Sequence, residues 1–414
     1  LCSVRGKVAL PHPFEIPLRC LYSKKVKNLL LAGGHASCTS RASASLRHPP
    51  TSAQMGEAAG VCASTCIRMK RLPRTMAKSG YVDELRKLLH RANHRCSIAQ
   101  SRDPDDLIPD SKAIASSTLD GFSTGNVAEH FPSPSTGGIV QFPVNGPEVR
   151  TIKLYAEVQE DCQMQCGLFS ASLTTATAPG PCLNRVEVEL RKGGAEWIEI
   201  PLSATIENPG WHFLEFSSTA PLCIYEQENA PVGLLFHQAK KLTKAGISNP
   251  YSEFSPKTSL APSPSSAPLI EVFPKQKAYL PENLTNGKGR PDRLPNLWIS
   301  QPTDFKYPEF VEFHWEKAQE ISSIEVVFDG SLEFLFPPRP EKFQSKRISS
   351  IVKNYKFFYM DEVGHWKELF EISDNSLAYR KHEFPPITTK GLELEVTDAN
   401  GLDRAQVFQV RAYS

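Results

Sequence analysis

Apolar and polar positions divide this chain into three stretches. In the first, Val26–Gly34 is a nearly unbroken apolar run that ends in a glycine pair, the pattern of a strand covered on both faces. A helix is expected from about Thr51 to Arg68, rich in Ala and Gly. A second is expected from about Val82 to Ala92, with Leu85, Leu88 and Leu89 at i, i+3, i+4 spacing. Short alternating runs follow. Val186–Leu190 and Trp197–Ile200 have period two, and strands are expected over Thr151–Val158, Gly167–Leu173, Arg185–Leu190, Glu196–Pro201 and Gly210–Phe216. The last stretch has the same pattern at Phe310–Trp315, Ile324–Phe328, Tyr355–Met360, Trp366–Phe370, Gly391–Val396 and Gln406–Ala412, with Asp361–Gly364 as a hairpin loop. Several short strands between Gly, Pro and Asn turns predict antiparallel β-sandwiches. The fold class is therefore multidomain α+β: an α/β segment followed by two jelly-roll sandwiches.

Composition adds boundaries. A Ser/Pro/Ala-rich stretch without periodicity marks a linker over 251–268, and the segments are expected at 1–95, 96–250 and 269–414. With 47 Lys and Arg against 45 Asp and Glu, the net charge of +2 excludes a general nucleic-acid binder. The basic cluster Lys70–Lys78 lacks aromatic partners and is expected to be a solvated connector. No run of 18 apolar residues exists, so no membrane-spanning helix is predicted. The chain opens at Leu1 with no signal-peptide pattern.

Candidate chemistry is sparse. The cysteines include two C-x3-C pairs, Cys62/Cys66 and Cys162/Cys166, with no His at zinc-finger spacing, so no metal is expected. A disulfide from Cys162 or Cys166 to Cys182 is the favoured use of the later ones. H-E-x-x-H and the P-loop are absent. Gly56 and Gly60, one turn apart, each cost ~1 kcal/mol relative to Ala, so close packing is expected to compensate, with cofactor proximity as the alternative. Trp298, Trp315 and Trp366 are either core residues or platforms for sugar rings. Asn283-Leu284-Thr285 is a glycosylation sequon by pattern.

Pro13–Ser23, Asn28-Leu29-Leu30-Leu31-Ala32-Gly33-Gly34-His35, Arg47-His48-Pro49-Pro50-Thr51 and Gln54–Gly60 occur in the order found in the C-terminal part of a bacterial family of FAD-dependent oxidoreductases, which they resemble. The resemblance covers about 90 residues. It departs at Ala44-Ser45, where the family tends to have Gly-Ser, and at Ser40, where it often has His. It implies a strand, glycine turn and helix that complete an FAD site. Gly33, Gly34, Thr51 and Gly56 would lie near the cofactor, and His35 and Arg47 near substrate or phosphate, with a solvated loop role as the bland alternative for both. The G-x-G-x-x-G loop that would clamp the pyrophosphate is missing and would lie before residue 1. FAD is therefore expected only with that missing half, and none for this chain alone.

The last stretch resembles a discoidin-like (F5/8 type C), galactose-binding-like sandwich, on Asn283–Gly287, Asn296–Ile299, Ile321–Asp329, Leu392–Val396 and Val410–Tyr413. Such modules bind sugars or pack on a catalytic domain, so Trp298 and Trp366 become candidate glycan contacts. Two functions follow. One is the end of a modular flavin oxidoreductase acting on an organic substrate. The other is a non-catalytic sandwich protein that binds a polysaccharide or a partner. The bacterial resemblance favours a periplasmic or secreted location.

Overall fold

The structure is a computed structural model and describes residues 15–78, 80–94, 103–124, 135–171, 179–227, 229–239, 254–256, 267–330 and 348–414. The chain forms two compact units, Leu1–Asp103 and Pro104–Ser414.

The described part of the first unit is helical: α1 Ser40–Leu46, α2 Pro49–Arg68, α3 Pro73–Met76 and α4 Tyr81–Arg91. Thr39 caps α1, its Oγ1 accepting from Ala42 N at 3.3 Å. Pro49 and Pro50 open α2, where a missing N–H and a fixed φ suit a first turn. Two small apolar clusters hold the helices. Cys62, Cys66, Met76 and Leu85 form one; Leu21, Leu46 and Met55 form the other. Arg86 ties α4 back to Glu15 at 2.8 Å. The expected strand at Val26–Gly34 is a correction. It contributes a single antiparallel bridge, Tyr22 to Leu30, and leaves Val26 and Leu29 exposed. A buried strand needs a neighbour on each edge, and among the described residues only the Tyr22 segment pairs with it.

The second unit holds two antiparallel sandwiches, and the chain passes between them twice. It begins with β1 (Lys112–Ala115), an edge strand of the C-terminal sandwich, paired with residues 311–314. The middle sandwich follows: β2 (Ser135–Val144), β3 (Thr151–Val158), β4 (Cys162–Ala171), β5 (Pro179–Leu190), β6 (Gly193–Ile200), β7 (Gly210–Ile224), β8 (Leu235–Ala239) and β9 (Ile270–Phe273). One layer runs β8-β2-β7-β4-β5. The other centres on β3, with β6 on one edge and β9 and the end of β7 sharing the opposite edge. Strand β3 alternates strictly, with Ile152, Leu154, Ala156 and Val158 buried.

The chain then returns to finish the sandwich that β1 began, through β10 (Trp298–Ile299), β11 (Glu309–Phe328), β12 (Val352–Met360), β13 (Trp366–Ile372), β14 (Tyr379–Ala399) and β15 (Gln406–Tyr413). Strands β11 and β14, separated in the chain by β12 and β13, form one long antiparallel ladder whose register breaks between His314 and Gln319. Before the break β11 lies beside β1; after it, beside β15. A single bent strand pair thus contributes to both layers. Phe310–Trp315 and Ile324–Phe328, expected as separate strands, are two halves of one.

The middle sandwich is therefore inserted between the first strand of the C-terminal sandwich and the rest of it, so strand pairing crosses the boundaries expected from composition. The linker expected at 251–268 falls mostly outside the described residues. The two sandwiches share packing. Val327 and Phe408 of the C-terminal sandwich belong to the middle sandwich's core. Tyr279 donates its hydroxyl to Val232 O at 3.0 Å, and fully buried Arg404 donates to Asn229 O and meets Asp403 at 3.0 Å. Burial lowers the pKa of Arg404, and Asp403 opposes that effect.

No disulfide forms among the described cysteines. Cys166 faces Val186 across the β4–β5 ladder, Cys162 faces Leu190 and Cys182 faces Phe169, so neither expected pairing has the geometry. Burial pushes the Cys166 thiol up to about 12.

Candidate functional site

In the first unit the candidate residues gather at the start of α2. Gly33–His35 form one 3-10 turn, closed by Ala36 N donating to Gly33 O at 3.1 Å. Gly33 has φ +59°, a left-handed value that favours glycine, and a Cβ there would lie 3.6 Å from Ser52 Cβ in the first turn of α2. Gly34, His35 and Arg47 are exposed. Thr51 is half-buried and is the third residue of α2 rather than its opening one.

That position limits what the helix end offers. Pro49 and Pro50 have no N–H, and the first helical hydrogen bond runs from Ser52 N to His48 O at 2.9 Å. Within α2 only Thr51 retains a backbone N–H for an anion at this terminus. Helix α2 thus offers a single backbone N–H at this end. These residues fit one wall of a cofactor site: a turn that backbone or ligand can approach, one donor, an imidazole and a guanidinium. They do not form a pyrophosphate cradle.

Gly56 and Gly60 also differ from expectation. Among the described residues a Cβ on either would meet nothing within 4 Å, so no close packing there compensates them. They lie on an exposed face of α2 with Ala53, Ser64 and Ile67, and Ile67 is 80% exposed. Among the described residues nothing packs on this small-residue face.

In the C-terminal sandwich the tryptophans separate. Trp298 is fully buried and donates Nε1–H to Ser117 O at 2.9 Å; no sugar ring reaches it. Trp315 is buried as well, donating to Leu107 O at 2.8 Å. Trp366 is half-buried on the outer face of its sheet. Its ring lies over Gly391, where a Cβ would come within 2.9 Å of Cη2, and meets the His314 ring edge-on at 6.0 Å. The sequon Asn283 spends its side chain internally, donating to Ala278 O and Leu297 O, each at 2.9 Å.

Sequence reasoning missed what surrounds Trp366. His314 Nε2 and Glu312 Oε2 are 2.6 Å apart. Glu393, paired with Glu312 across the β11–β14 ladder, is pushed up to about 7, first by burial and then by Glu312 and Glu395. The period-two pattern of Leu392–Val396 places Glu393 and Glu395 on the polar face. Identifying their neighbours requires the register. On the same sandwich His382 is held down to about 4 by burial and then by Arg380, and lies 2.9 Å from the Tyr355 hydroxyl.

Residues 3–89 match the family model for FAD dependent oxidoreductase. No curated protein matches the chain. Among solved structures it is similar to the family 32 carbohydrate-binding module of Streptococcus pneumoniae EndoD, at 19% identity and TM-score 0.26, over 32% of this chain and 84% of that one. It is also similar to the family 32 module of Clostridium perfringens NanJ, solved with galactose, at 13% identity and TM-score 0.25, over 34% of this chain and 88% of that one. A further Clostridium perfringens module, solved with GalNAc-β-1,3-galactose, has 11% identity and TM-score 0.25, over 33% and 84% of the two chains.

Proposed function

We propose that residues 15–94 are the closing segment of a flavin-dependent oxidoreductase site and that the sandwich pair is its accessory module. The observation that carries this is the open surface of the first unit. Val26, Leu29, Ile67 and Leu72 are 42–80% exposed, and among the described residues nothing lies within 4 Å of a Cβ built at Gly34, Gly56 or Gly60, in the segment that matches the family. A helical unit with so much uncovered apolar surface calls for a further layer. Flavin, when bound, accepts hydride from an organic substrate. The chain's own residues would supply placement. The Gly33–Gly34 backbone admits close approach, Thr51 N–H meets an acceptor, and Arg47 offers a planar guanidinium to a carboxylate or phosphate. His35, exposed beside them, would face the substrate.

The test is the visible absorbance of the full-length product of the gene, expressed with any coding sequence that precedes Leu1. The proposal predicts a yellow protein whose colour is weakened by Gly33→Val, since valine resists the left-handed backbone, and survives removal of the sandwich pair. A colourless product overturns it.

A second reading concerns the sandwich pair alone. The half-open Trp366 favours a C-terminal sandwich that binds carbohydrate, as the family 32 modules solved with galactose and GalNAc-β-1,3-galactose do. We extend this to location: a periplasmic or secreted protein would meet such ligands, which fractionation of the native host checks.

A further inference from the structure

The outer face of the β3 layer, in the middle sandwich, carries a row of three rings. Tyr155 stands opposite Trp197 of β6, and Tyr225, just past the end of β7, donates its N–H to Tyr155 O at 3.1 Å. The Trp197 and Tyr225 rings lie 5.2 and 5.1 Å from the Tyr155 ring, tilted to it by 57° and 72°. They are on the side away from the core, because the alternate residues Leu154, Ala156, Ile198 and Ile224 are the buried ones. Trp197 is 36% exposed, and both tyrosines are half-buried.

The same face already holds one cation. Lys153, two residues before Tyr155, has its Nζ 5.4 Å from the centre of the Phe273 ring and 2.6 Å from Glu199. A ring and a carboxylate together hold that ammonium. Two residues after Tyr155 comes Glu157, with Ala195 and Cys223 opposite it on the neighbouring strands. Burial and then Glu157 raise the Tyr225 pKa, so this carboxylate stands close to the rings. Among the described residues Glu157 has no cationic partner. The chain thus repeats the surroundings of Lys153, ring and carboxylate, and supplies no lysine or arginine to them.

The lining selects the class of cation. A primary ammonium is strongly hydrated and needs direct acceptors, as Lys153 finds in Glu199. A quaternary ammonium presents only alkyl groups, with its charge spread over them, so aromatic rings replace its weakly held water. Three rings and one carboxylate suit the second. Glu199 and Glu271, on either side of Lys153, make a ligand with its own phosphate or carboxylate unfavourable here.

We propose that Trp197, Tyr155 and Tyr225, with Glu157, bind a small quaternary ammonium compound. This is independent of both the flavin and the carbohydrate readings.

The experiment titrates the whole 414-residue chain with choline, with its uncharged isostere dimethylbutanol and with ethanolamine, a primary ammonium, following tryptophan fluorescence and heat. Choline is expected to saturate and to bind about tenfold or more tightly than either of the others. Trp197→Ala should weaken choline about tenfold and Glu157→Gln about threefold, with melting temperatures close to that of the wild type because both side chains lie outside the core. Tyr307→Ala, on an exposed residue of the other sandwich, should change nothing. Equal affinity for the uncharged isostere overturns the cation, and tighter binding of ethanolamine overturns the quaternary class. Choline binding that ignores both Trp197→Ala and Glu157→Gln overturns the placement. Failure of choline to saturate overturns the proposal outright.

Discussion

Trp298 and Trp366 differ by what surrounds them. Trp298 has no exposed surface and a satisfied N–H, so Trp298→Ala removes a core ring and orphans Ser117 O; a cost of about 3–5 kcal/mol is expected in denaturant unfolding. Trp366→Ala should cost less than half as much. Glu393 carries a pH signature. Folding raises its pKa, so the stabilisation is complete below about 4.5 and lost as the pH rises through about 7. Glu393→Gln, neutral throughout, should match the wild type at pH 4 and exceed it at pH 8. After discounting for the half-exposed site, the gain is about 1 kcal/mol in urea titrations. His382 has the opposite sign: held near 4, it withdraws stability as the pH falls from 6.5 towards 4. At this scale the sequence names the chemical groups but not their neighbours. Nothing local to Leu392–Val396 says that Glu312 stands opposite Glu393.

Elements were legible where alternation was clean. Thr151–Val158 is a strand with the expected bounds, and the helix expected from Val82 to Ala92 is Tyr81–Arg91. Ser135–Val144 was not legible, because Gly137, Gly138 and Pro143 look like punctuation and both faces are buried, which removes the alternation. Val26–Gly34 shows the converse, since an apolar run does not say whether neighbours exist to cover it. The insertion was hidden because β1 is four residues long and its partner lies some 200 positions away. This has a practical consequence. A fragment of 269–414 lacks β1 and the Leu107 carbonyl that accepts from Trp315. It should be poorly soluble or melt well below the same fragment mixed with a peptide of 104–119. Equal melting temperatures with and without the peptide would show that β1 is dispensable.

For the whole second unit, two sandwiches, one inserted within the other and sharing core residues, have little freedom to unfold separately. Residues 104–414 are expected to give one calorimetric transition, with van't Hoff and calorimetric enthalpies in agreement. Two resolved transitions would mean that the packing of Val327 and Phe408 into the middle sandwich's core and the Arg404 bonds couple the sandwiches weakly. The first unit presents the other case. Its described core consists of two small clusters, and its matched segment leaves apolar and glycine surface uncovered. The functional account depends on that surface being one side of a larger flavin fold. Amide hydrogen exchange at Leu29 and Leu30, in the full-length gene product against the 414-residue chain, tests this most directly. The account predicts strong new protection there, as a completed sheet takes up those N–H groups. Equal exchange in both proteins would contradict it.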